Sequence, residues 1–94
     1  MSGLIELFET RIVPLSPTHA HVEDESSRHA GHAGNNGGGH LRATIVSPAF
    51  SGKNTMARHR MVYSLVNDLM PHRIHALSLT TLTPDEAQQR ADRL

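Results

Sequence analysis

The spacing of apolar residues changes along this chain, and that change constrains the fold more than any other feature of the sequence. Residues 3–12 carry apolar side chains at helical spacing, whereas residues 18–24 and 40–47 alternate between apolar and polar as strands do. Helical spacing returns over residues 55–70, and residues 74–82 form a third strand pattern. A helix therefore separates the second predicted strand from the third.

A final helix is predicted from its start signal. Thr83 suits the N-cap, Pro84 suits the first helical position, and Glu86 lies where it closes a capping box with the threonine. The predicted order is then α-β-β-α-β-α, an α+β fold with a mixed three-stranded sheet on which the helices pack. The first two strands are most simply an antiparallel pair.

The length of 94 residues predicts one small domain spanning residues 1–94. Residues 25–39 interrupt it with serine, histidine, glycine and asparagine, without apolar periodicity. We expect a long flexible loop there, and loops of this length tend to be functional or disordered.

The longest predicted helix has one apolar stripe and one polar face. At 100° per residue, the stripe consists of Met61, Val62, Leu65, Val66 and Leu69. Arg60 lies on the opposite face, but Arg58 lies at the N-terminal end of the stripe. An arginine in that position is either paired with a carboxylate or extends outward along the edge of the core.

Basic residues in and around this helix could bind phosphate. The chain has nine Lys and Arg against nine Asp and Glu, so it lacks the overall positive charge typical of a phosphate-backbone binder. A local basic surface is still a candidate DNA site, because a turn followed by an exposed basic helix can enter a DNA groove. A solvated charged helix face is the simpler interpretation. The candidate residues are Lys53, Arg58, Arg60 and Arg73.

Histidine is abundant, at eight of 94 residues, and cysteine is absent. Any metal site must therefore use histidine or carboxylate ligands, and a partial set of ligands suits a site completed by a partner protein. His29 and His32 lie three residues apart in the glycine-rich segment, and His75 opens the third strand. For each histidine, an ordinary polar surface position is the competing interpretation.

The remaining motifs exclude several function classes. No residue pattern fixes a nucleophile beside a base, so we do not predict an enzyme. No apolar run reaches 18 residues, so no membrane span or membrane partner is predicted. Since no secretory signal is visible, we expect a cytoplasmic protein, or a mitochondrial one if the chain is a processed eukaryotic form.

Several of these segments together resemble the BolA family. The most specific are Arg58-His59-Arg60-Met61-Val62-Tyr63 and Ile74-His75-Ala76-Leu77-Ser78-Leu79. Earlier matching pieces are Val22-Glu23-Asp24-Glu25-Ser26 and Ile45-Val46-Ser47, the latter followed by Phe50-Ser51-Gly52-Lys53. They occur in the family order over roughly residues 20–82.

The resemblance implies a fold like the class II KH domain and a heterodimer with a monothiol glutaredoxin. In such pairs the two proteins share a [2Fe-2S] cluster, with thiolates from the glutaredoxin cysteine and glutathione. The resemblance implies that His75 supplies one imidazole ligand and the loop between the first two strands supplies a second. His29 matches the loop position best, and His32 is the close competitor. The isolated protein is expected to hold no cofactor and to be a monomer or weak homodimer.

BolA-like proteins are also described as transcription regulators of stress response and cell morphology. This description implies an alternative function, DNA binding through the basic helix that starts near Arg58. The neutral net charge and the single Tyr and two Phe make it the weaker of the two interpretations.

Overall fold

A computed structural model describes residues 3–25, 39–70 and 72–92 of the chain. Within these residues, the predicted order α-β-β-α-β-α and the α+β class are confirmed. Most of the predicted 25–39 loop falls on residues 26–38, which lie outside the described part. The helices and strands are α1 Leu4–Arg11, β1 His19–Asp24, β2 Gly39–Val46, α2 Thr55–Val66, β3 Ile74–Leu82 and α3 Pro84–Asp92.

The three strands form a mixed sheet in the order β1-β2-β3. β1 pairs with β2 antiparallel, and β2 pairs with β3 parallel. A parallel pair needs a crossover between its strands, and α2 supplies it here. The N-terminal ends of β2 and β3 consequently lie at the same end of the sheet.

One face of the sheet packs against the helices. Ala20 and Val22 of β1 face this side, as the alternation predicts, while His19, His21 and Glu23 are exposed. Apolar residues from α1, the strands, α2 and the short 3-10 helix Pro48–Phe50 form one core. Its fully buried members include Phe8, Ala43, Ile45, Phe50, Val62 and Val66. The opposite sheet face is largely polar.

α2 begins after a turn and ends earlier than the periodicity predicts. Gly52 has a φ of 76°, a conformation that glycine adopts without steric cost. Asn54 caps the helix, since its side-chain oxygen accepts a 2.8 Å hydrogen bond from the N–H of Ala57. A short 3-10 helix over Asn67–Leu69 follows α2, so the predicted 55–70 segment is helical in two parts.

The predicted capping box at the start of α3 is confirmed. The N–H of Thr83 donates to the Glu86 carboxylate at 2.9 Å, and the N–H of Glu86 donates to the Thr83 hydroxyl at 3.2 Å. α3 then packs beside β3. None of the helices in the described residues is long and apolar enough to cross a membrane.

Candidate functional site

His75 lies at the start of β3, where the pairing with β2 is irregular. Gly39 pairs with Ile74, but the next residue, His40, pairs with Ala76, so the register skips His75. An extra residue of this kind interrupts the alternation of a strand and redirects its side chain, as in a β-bulge. Ile74 is fully buried, and His75 is exposed. The imidazole is therefore accessible from solvent.

This register shift corrects one detail of the sequence prediction. Strict alternation puts His75 on the same side of β3 as Leu77 and Leu79, which pack against the core. The prediction that His75 faces the core with these two leucines is wrong, because the register shift puts Ile74 in the core position instead.

The imidazole of His75 lies beside that of His40 in β2. The two ring centroids are 5.5 Å apart, and the ring planes are inclined by 31°. Sequence reasoning did not select His40 as a candidate ligand, although it begins the second predicted strand. The missing information was the parallel pairing of β2 with β3, which brings the two strand starts together.

The other predicted ligands, His29 and His32, lie outside the described residues. Over the ranges 3–25, 39–70 and 72–92, no three His, Asp or Glu side chains come together as a metal-binding group. Two imidazoles supply half of the four ligands that a tetrahedral metal requires. Within the described part, a metal at the site around His75 would therefore need further ligands from elsewhere.

Arg58 is part of the structural frame of the domain. Arg58 is 9% exposed, and its guanidinium forms a bidentate ion pair with the Glu86 carboxylate. The two nitrogen–oxygen distances are 2.6 and 3.0 Å. The carboxylate pairing that the sequence left open is confirmed. Three backbone carbonyls also accept from this guanidinium, those of Phe50, Lys53 and Thr81.

The ion pair changes the titration of its carboxylate. Hydrogen bonds from the Arg58 guanidinium and from the N–H of Thr83 lower the pKa of Glu86 from 4.5 to about 2. The hydrogen bond to Glu86 raises the pKa of Arg58. Both groups are therefore charged at neutral pH, and the pair joins α2 to α3.

Tyr63 makes a second connection from α2 to β3. Its hydroxyl donates to the carbonyl of Leu77 at 3.2 Å, while Arg58 reaches the carbonyl of Thr81 on the same strand. β3 is an edge strand, whose outer backbone groups need such cover. The Arg58-to-Tyr63 segment thus holds in place the strand that carries His75.

The remaining basic candidates, Lys53, Arg60 and Arg73, are exposed. A groove of about 360 Å³ lies between α2, β3 and α3, and Arg58 is the only one of the four DNA-binding candidates that lines it. Glu86 also lines this groove. Its lining therefore carries charges of both signs, unlike a purely cationic phosphate site.

Comparisons of the sequence and of the structure with known proteins find the same family. The family model described as BolA-like protein matches residues 13–86. The chain is 44% identical over 78 residues to the SufE-like protein 1, chloroplastic/mitochondrial, of Arabidopsis thaliana, which covers 77% of this chain and 21% of that protein. The chain thus spans about a fifth of the length of this plant relative.

A bacterial relative and a solved structure agree with this match. The chain is 39% identical over 72 residues to the DNA-binding transcriptional regulator BolA of Escherichia coli strain K12, covering 77% of this chain and 67% of that protein. The solved BolA domain of SufE1 from Arabidopsis thaliana superposes with a TM-score of 0.77 at 36% identity. That superposition covers 92% of this chain and 99% of the domain.

Proposed function

The chain belongs to the family of BolA-like proteins, and on this premise we propose that it is a non-enzymatic partner of a monothiol glutaredoxin. In the proposed heterodimer, the two proteins share a [2Fe-2S] cluster. This chain supplies imidazole ligands, and the glutaredoxin cysteine and glutathione supply thiolates. The role lies in cluster assembly, cluster trafficking or iron regulation.

The observation that carries the proposal is the exposed imidazole of His75 beside a second imidazole at one end of the sheet. The chain contains no cysteine, so nitrogen and oxygen ligands are all that it can offer to iron. Imidazole in place of thiolate on one iron raises the reduction potential of a [2Fe-2S] centre. The absence of cysteine thus fits a histidine-type member of the family.

His75 is the residue on which the proposal depends. His29 and His32 stay predicted loop ligands, since they lie outside the described residues. Because the ligands are divided between two proteins, neither protein alone completes the cluster site. We therefore expect no bound cluster in the isolated chain.

Visible circular dichroism of the cluster-loaded heterodimer tests this function. We expect His75→Ala to remove or strongly alter the cluster bands obtained with glutaredoxin and glutathione. His72→Ala is the matched control, because His72 is another exposed histidine three residues before His75. Identical spectra and cluster lifetimes for wild type and His75→Ala would show that the ligand assignment is wrong.

DNA binding is the second candidate function, and the name of the Escherichia coli relative favours it. Lys53, Arg60 and Arg73 are exposed and available to phosphate, whereas Arg58 is buried and bonded within the domain. Binding through these residues should weaken steeply with salt, because each phosphate contact releases counterions. Unchanged affinity for duplex DNA in a Lys53→Ala, Arg60→Ala variant would exclude this surface.

A further inference from the structure

We propose that His40 and His75 form a two-imidazole metal-ligating pair. The second nitrogen ligand then comes from β2. The spacing of the histidines and the family resemblance both indicate the preceding loop instead. The metal-binding property of the pair stands on its own geometry. Its use toward an iron–sulfur cluster rests on the function proposed above.

The separation of the two rings fits ligation of one metal ion. A first-row metal lies about 2.1 Å from each ligating imidazole nitrogen. With ligand–metal–ligand angles near tetrahedral, the centroids of two such rings are roughly 5 to 6 Å apart. The observed distance between the His40 and His75 centroids is 5.5 Å. This separation is therefore the one expected for two imidazoles that each direct one nitrogen toward a shared ion.

The backbone around both residues is held by hydrogen bonds. The N–H of Gly39 donates to the carbonyl of Arg73 at 2.9 Å, which joins the two strand starts just before the histidines. On the other side of β2, the N–H of Glu25 donates to the carbonyl of His40 at 2.7 Å. Ligands on paired strands lose little further backbone entropy when a metal binds, so the pair is preorganised.

The register shift is what makes this pair possible. Without it, His75 would lie on the core side of β3, in the position that Ile74 fills. The skipped residue instead lies next to His40 and is exposed, while Ile74 anchors the strand in the core. Since irregular strand pairing is common beside functional sites, we interpret the shift as the device that presents the imidazole.

Zinc titration of the isolated chain tests the pair without any glutaredoxin. In ring ¹⁵N spectra of histidine-labelled protein, we expect the His40 and His75 nitrogens to shift together, with one apparent Kd. His40→Gln, which keeps a polar side chain, and His40→Ala should each weaken zinc binding at His75 by at least about tenfold, because the chelate is lost. His72→Ala should leave it unchanged. Independent titration of the two rings, or unchanged affinity at His75 in both His40 variants, would overturn the pair.

The cluster-loaded heterodimer then tests where the second ligand lies. We expect His40→Gln to shorten the cluster lifetime and change the visible dichroism, while the control His72→Ala keeps both close to wild type. A cluster lifetime and visible dichroism in His40→Gln equal to those of wild type would overturn the assignment of His40 as the second cluster ligand. If His75→Ala has no effect in this assay, the proposed cluster function fails, and the zinc titration still decides the pair.

Discussion

Replacing Arg58 with alanine should destabilise the domain far more than the same change at Arg60. Both arginines lie in α2, two residues apart, and both are basic candidates for DNA contact. Arg58 is 9% exposed and bonded to Glu86 and three carbonyls, whereas Arg60 is exposed and donates to the sulfur of Met56 at 3.6 Å. Comparing the two substitutions therefore separates the effect of losing a buried, hydrogen-bonded side chain on stability from the effect of losing one positive charge.

The expected magnitude follows from what the Arg58 side chain contacts. Breaking a buried ion pair by removing one partner costs about 3 to 5 kcal/mol. The partner carboxylate of Glu86 keeps part of its solvation, since its side chain is 42% exposed. We therefore expect Arg58→Ala to lower the free energy of unfolding by about 2 to 3 kcal/mol. For a domain of this size that corresponds to a fall in Tm of roughly 8 to 24 °C.

Thermal and urea unfolding followed by far-ultraviolet circular dichroism measure this difference. Arg60→Ala should stay within about 0.5 kcal/mol of wild type, as exposed substitutions usually do. A result for Arg58→Ala within the same 0.5 kcal/mol would refute the structural role of Arg58. Arg58 would then again be a candidate for phosphate contact.

Three further predictions concern the frame around His75. Tyr63→Phe removes the 3.2 Å hydrogen bond to Leu77 and should cost about 0.5 to 1.5 kcal/mol in urea unfolding; no change would mean that this bond does not stabilise β3. Ile74→Ala should cost about 2 to 5 kcal/mol, because a fully buried side chain at the register shift is lost; a cost near zero would contradict its anchoring role. The stability contributed by Glu86 is complete above pH 4.5 and is lost as pH falls toward its folded pKa of about 2. Glu86→Gln should therefore flatten the dependence of the free energy of unfolding on pH between these two values, and identical pH dependence in wild type and variant would contradict the pairing.

The order of helices and strands could be predicted because each element carries its own local signal. The alternation around Val22, the stripe through Val62 and Val66, and the capping box of Thr83 and Glu86 depend on neighbours within a few residues. Helical geometry also placed Arg58 at the edge of the core, either paired with a carboxylate or extending outward along that edge. It could not decide between these alternatives or identify Glu86 as the partner, because the two residues meet only through the tertiary fold.

The candidate site was harder to predict for the same reason. His75 was selected from its position at a strand start and from the family resemblance. His40 was not, since its proximity to His75 depends on parallel pairing between strands that are separated by α2. The register shift that exposes His75 and buries Ile74 has no signal in local alternation. Long-range strand register, which one sequence does not encode locally, accounts for both omissions.

The most direct test of the central proposal detects nitrogen from this chain on the iron. The chain is labelled with ¹⁵N-histidine, assembled with unlabelled glutaredoxin, glutathione and cluster, reduced by one electron and examined by pulsed electron paramagnetic resonance. We predict ¹⁵N hyperfine coupling that decreases or disappears in His75→Ala and persists in His72→Ala. A reduced cluster without any ¹⁵N coupling in the wild-type complex would contradict the proposal that this BolA-like protein ligates it.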